Sequence, residues 1–104
     1  WFTSCPPCIK EIPDLNKLKK HFGDNVNFVA ITFDGNKKVD KFLKKWPLND
    51  FEIITNAQNS INRLKIRSYP MTFLLNKEGE IINVYGALMG DQTENLKELI
   101  SFML

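Results

Sequence analysis

Two cysteines, Cys5 and Cys8, are the only residues in the chain whose type and spacing together suggest covalent chemistry. A thiolate attacks disulfides and a thiol does not, so a working cysteine needs a neighbour that stabilises negative charge near neutral pH. The start of a helix supplies one, because its first amide hydrogens lack partners and its dipole is positive there. With Cys5 as N-cap, its sulfur faces those amides, and Cys8 sits one turn inside, where it is expected to be the more buried of the two. The two-residue spacer keeps the sulfurs close enough for Cys8 to attack a mixed disulfide that Cys5 has formed. Pro6 and Pro7 both lack an amide hydrogen, which leaves the Cys8 amide as the principal early donor to the Cys5 sulfur. Modest stabilisation of the thiolate favours the disulfide form and predicts a reductant, not a strong oxidant.

Two other uses of the pair are weaker. Zinc requires four ligands, and beyond the cysteines there are only His21 and scattered carboxylates, so no metal is expected. A structural disulfide at this spacing closes too short a loop to stabilise much.

The elements that must position the pair follow from local pattern. Ile9, Ile12, Leu15 and Leu18 recur at helical spacing, which predicts a helix over 6–22 with Pro6 in its first turn, a kink at Pro13, and an end at Gly23. Residues 26–33 are β-branched and aromatic, as in a strand covered on both faces within a sheet. After a turn at Asp34-Gly35-Asn36, residues Val39, Phe42, Leu43 and Trp46 form a second helical stripe that stops at Pro47, with Trp46 in its core. A strand over 51–55, a short helix over 57–65 and a strand over 71–75 come next. A turn at 76–79 leads into a strand over 80–85, paired antiparallel with the preceding one. Asp91 and Glu94, at capping-box spacing, open a last helix through Leu96, Leu99, Ile100 and Met103. Strands alternating with helices, then a hairpin and a helix, predict one α/β domain over 1–104 with a central mixed sheet and helices on both faces.

At WFTSCPPC the sequence resembles the thioredoxin superfamily, and the following IKEIPDLNKL is similar to the TlpA/ResA branch of thiol-disulfide oxidoreductases, related to AhpC/TSA proteins. Pro13 matches the kink proline of the first helix, and Ser68-Tyr69-Pro70-Met71-Thr72-Phe73 matches the segment of the family's cis-proline. The extra helix and strand over 37–55 resemble the TlpA-type insertion. The resemblance implies a thioredoxin-like fold, Cys5 as nucleophile, Cys8 as resolving thiol, and a cis Tyr69-Pro70 bond beside them. It leaves the Tyr69 backbone free to bind extended substrate by strand addition, and it implies no cofactor beyond the Cys5-Cys8 disulfide.

The resemblance also makes Glu11 an assistant in proton transfer. Read from the residues, Glu11 lies one turn beyond Cys8, within reach of its proton, and equally suits an exposed glutamate favoured by the helix dipole. Ser4 stands where the family usually has tryptophan, so Trp1, with Phe2, is expected to form the apolar rim. The family strand that leads into the motif is represented only by its last residues, and the native protein is expected to extend N-terminally, with a leader or membrane anchor. The implied setting is periplasmic or otherwise extracytoplasmic. The implied partners are protein disulfides or thiols, apocytochrome c among them, and a thiol electron donor. A monomer is expected.

Rival readings are a non-catalytic interaction module of the same fold and a peroxiredoxin-like peroxidase. The latter would carry threonine where Phe2 stands. A net charge of +2 gives little field for nucleic acid, and the lysine clusters lack an interleaved aromatic platform.

Overall fold

The computed structural model describes residues 1–104. Helix α1 (Pro6–Phe22) begins where proline costs nothing, at positions whose amides would be unpaired anyway. It runs on through Pro13 and ends at Gly23, whose φ of 56° suits a residue without a side chain and whose amide returns to the Lys19 carbonyl.

Strand β1 (Val29–Ile31) is shorter than the expected 26–33. It pairs in parallel with β2 (Glu52–Ile54), in register Val29 to Glu52 and Ile31 to Ile54. Ala30 is buried while Val29 is 43% exposed, so one face of β1 is open and the expected coverage of both faces is absent. Helix α2 (Asn36–Lys45) connects the two strands and buries Val39 and Phe42. Trp46 does not join that stripe. It is the C-cap, with φ −127° and ψ 73°, so its side chain leaves the helical periodicity and is 38% exposed. Asn16 of α1 fastens the following loop, donating to the Pro47 carbonyl at 2.9 Å and accepting from the Asn49 amide at 2.9 Å.

Helix α3 (Gln58–Arg63) leads to the cis Tyr69-Pro70 bond and then to β3 (Thr72–Leu75). The turn back into β4 (Ile81–Tyr85) is organised by Asn76, whose Oδ1 accepts the Glu78 and Glu80 amides at 3.0 and 2.9 Å, with Gly79 at φ 82°. β3 and β4 are antiparallel. The last helix, α4 (Asp91–Met103), takes Gly90 as its N-cap, not Asp91. Asp91 and Glu94 therefore occupy the first turn, where their charge still complements the dipole, but no capping box forms.

The mixed sheet is formed as one parallel pair, β1-β2, and one antiparallel pair, β3-β4, with the interruption between β1 and β3 that follows from having only the last residues of the strand that leads into the motif. The core lies on the hairpin side. Leu18 and Phe22 of α1, Leu74, Tyr85 and Leu88, and Leu96 and Ile100 of α4 form one buried cluster. Tyr85 hydroxyl donates to Asn95 at 2.7 Å and Thr93 hydroxyl to Asp14 at 3.0 Å, which fixes α4 against both the hairpin and the motif helix.

Candidate active site

Cys5 is the N-cap of α1, with extended backbone, and its Sγ accepts the Cys8 amide at 3.3 Å. Of the first three helical residues only Cys8 has an amide to give, since Pro6 and Pro7 precede it. The cysteines form a disulfide, with Cα atoms 5.3 Å apart. Cys8 is not the more buried of the two: Cys5 is 2% exposed and Cys8 3%.

Glu11 is buried one turn further along, at 4% exposure, which excludes the exposed alternative. Its Oε1 accepts the Leu88 amide at 3.0 Å. Burial raises its pKa to about 6, and the Leu88 hydrogen bond opposes that rise. Such a carboxyl changes protonation near neutral pH and so can exchange protons with a thiol of similar poise. The pairing partner is a backbone amide 77 residues away, for which no sequence pattern exists.

Pro70 is buried, and the peptide bond before it is cis. The Tyr69 ring meets the edge or face of Phe2 at 5.3 Å and Phe33 at 5.9 Å, and Phe2 and Phe33 stack at 5.5 Å. This half-buried aromatic triangle joins the segment entering the motif, the end of β1 and the residue before the cis bond. Phe2 also accepts the Cys5 amide through its carbonyl at 3.2 Å. Trp1 lies elsewhere, its ring 5.3 Å from Phe42 of α2 and its indole nitrogen buried.

Sequence reasoning missed Asp34, which it took only as part of a turn. Asp34 is buried, and its Oδ2 accepts the Thr3 amide at 2.8 Å, two residues before Cys5. Its own amide donates to Thr32 Oγ1 and its carbonyl accepts the Asn56 amide. Asp34 thus anchors the entry to the motif from the end of β1. An Asp-Gly pair after a strand looks like any turn, and only the contact 31 residues back along the chain sets it apart.

An open apolar groove runs beside the disulfide, walled by Pro6, Pro7 and Pro13 on α1, by Trp46, and by Ala87 and Met89 of the loop before α4. No group of side chains suited to holding a metal ion is present.

Comparison with known proteins agrees with this geometry. The AhpC/TSA family model matches residues 1–99. The thiol-disulfide oxidoreductase ResA of Halalkalibacterium halodurans is 32% identical over 103 residues, covering 96% of this chain and 58% of that protein. ResA of Bacillus subtilis is 31% identical over 98 residues, covering 92% of this chain and 53% of that protein. The chain therefore spans little more than half the length of these relatives. Among solved structures, StoA from Bacillus subtilis superimposes with a TM-score of 0.78 at 30% identity, over 96% of this chain and 77% of that one. A putative thiol:disulfide interchange protein DsbE from Chlorobium tepidum gives 0.88 at 20% identity, over 99% and 74%, a likeness of fold. The divided sheet is thus a thioredoxin-like fold in which two strand pairs keep their family positions, and the chain belongs to the AhpC/TSA family in the ResA-like company that its cysteine motif and cis-proline segment suggested.

Proposed function

We propose that the protein is a thiol-disulfide oxidoreductase that reduces disulfides in other proteins. The observation that carries this reading is the Cys5-Cys8 disulfide at the start of α1, with Cys5 Sγ facing one amide donor and a buried carboxyl one turn on.

In the reductive direction the Cys5 thiolate attacks one sulfur of a substrate disulfide, forming a mixed disulfide and releasing the other sulfur as a thiolate. Glu11 accepts the Cys8 proton, and the Cys8 thiolate attacks Cys5 Sγ. That step closes the Cys5-Cys8 bond and expels the second substrate thiolate, so two electrons have passed to the substrate. A thiol donor reverses the sequence to restore the dithiol. Pro70 and the Tyr69 backbone hold the substrate extended across the motif. The lone Cys8 amide stabilises the Cys5 thiolate only modestly, which supports a reductant. The ResA resemblance supports extracytoplasmic work on protein thiols such as those of apocytochrome c. No helix is long and apolar enough to cross a membrane.

The test is the reduction potential of the couple in defined thiol buffers, together with insulin reduction by wild type and Cys5→Ser. A midpoint near about −270 mV with turnover lost in the variant supports the reading. A midpoint near about −120 mV would make the protein an oxidant, and equal, negligible turnover by both with peptide binding retained would make it a binding module.

A further inference from the structure

Helix α2 carries five lysines and one aspartate in ten residues. Lys37, Lys41, Lys44 and Lys45 recur at spacings of three and four, so they form one stripe opposite the buried Val39 and Phe42. All five lysines are exposed, yet only Lys38 lies within ion-pair distance of a carboxylate, Asp34 at 3.9 Å. With Asp40 as the one acidic residue of α2, the helix keeps a clear excess of positive charge. The stripe also has a direction. The helix ends at Trp46, which walls the groove beside the disulfide, and the Lys45 ammonium sits 5.6 Å from the Trp46 ring.

The groove continues the same chemistry. Its only charged residue is Lys10, and no acidic side chain lines it. Three of its walls are prolines, which offer rigid apolar surface and no amide donor. Such a surface favours an apolar side chain.

We infer that α2 and the groove form a docking surface for an acidic polypeptide, in which the cysteine-bearing partner seats an apolar residue against Trp46 and lays acidic side chains along the α2 lysine stripe. This rests on the exchange reaction proposed above and assigns it a substrate class. Complementary charge outside the contact raises association rates by tenfold or more and weakens with salt. The stripe therefore selects among disulfides that are chemically alike.

The experiment compares two synthetic disulfide peptides of one design, each with leucine beside the reactive cysteine, one continuing in three glutamates and the other in three lysines. Oxidation of the reduced protein is followed by rapid alkylation and mass analysis. At about 0.01 M salt the glutamate peptide is expected to react about tenfold faster, with the ratio falling towards one at about 1 M. In Lys41→Glu/Lys44→Glu/Lys45→Glu the ratio should invert. Trp46→Ala should slow the leucine peptides several-fold, and slow peptides with glycine in that place much less.

Equal rates for the two peptides, or a ratio that charge reversal leaves unchanged, would overturn the assignment. So would binding to phosphatidylglycerol vesicles with no peptide preference, which would give the face to a lipid surface. Neutral 4,4′-dithiodipyridine needs no docking and separates the two levels. If it oxidises the wild-type pair while the peptides are not distinguished, exchange stands and docking falls; if no Cys5-Cys8 bond forms with it, exchange falls as well.

Discussion

At the residue scale the proposed exchange divides the work between the sulfurs and one carboxyl. Cys8→Ser should accumulate a mixed disulfide between Cys5 and substrate, because nothing remains to resolve it, and mass analysis of non-reduced mixtures reads this directly. Glu11 has a cost as well as a use. Its native pKa of about 6 lies above its ordinary value of 4.5, so the folded state holds the proton more tightly than the unfolded chain does. Stability from this group is complete below pH 4.5 and is lost as pH rises through 6, a loss of up to about 2 kcal/mol. Glu11→Gln keeps the acceptor for the Leu88 amide and removes the charge. It should unfold at a higher temperature than wild type at pH 7.5, with a flatter dependence between pH 4.5 and 6, and should slow resolution of the mixed disulfide. A variant no more stable than wild type at pH 7.5 would contradict the burial account.

At the scale of elements, the first turn of α1 is expected to set the redox poise. Pro7→Ala restores an amide at the second helical position, which can donate to Cys5 Sγ beside the Cys8 amide. A hydrogen bond to a charged group contributes about 1.5–3 kcal/mol, so the reduction potential should become less negative by roughly 30 mV or more. An unchanged potential would mean that the prolines do not set it. Behind that turn, Leu88 is fully buried in the cluster joining α1, the hairpin and α4. Leu88→Ala should cost about 2–5 kcal/mol by denaturant titration.

This scale also shows what local pattern can carry. The start at Pro6 and the end at Gly23 were legible because cap chemistry depends on neighbours in sequence, and the Cys5 cap followed from the same logic. Trp46 fitted a helical stripe and still left it, because position 46 lies one residue past the last turn, a boundary that apolar spacing does not mark. Asp91 looked like a cap because of Glu94, whereas Gly90 could take the positive φ that the turn requires. The cis bond at Pro70 came from resemblance alone. The burial of Asp34 and Glu11 depends on partners 31 and 77 residues away, which no local window contains.

For the whole molecule, the two strand pairs remain compact without a shared ladder: the radius of gyration is 13.3 Å, close to the ~13 Å expected for a domain of this length. Helices α1 and α4 and the core between them hold the hairpin side, while β1 and β3 each present an edge with no strand partner. Hydrogen exchange should accordingly be slowest in α1 and α4 around Leu18, Phe22, Leu96 and Ile100, and markedly faster at edge amides of β1 and β3. Uniform protection across strands and helices would mean that those edges are covered in solution.

The contrast between the two tryptophans has an optical consequence. Trp1 is packed on Phe42, whereas Trp46 is the partly open wall of the groove, beneath the Lys45 ammonium. The chain therefore carries its own fluorophore on the surface where a partner would sit, with a second, shielded one as internal reference. Occupation of the groove should shift Trp46 emission to the blue and shield it from iodide quenching, so each encounter can be timed without labelling either protein.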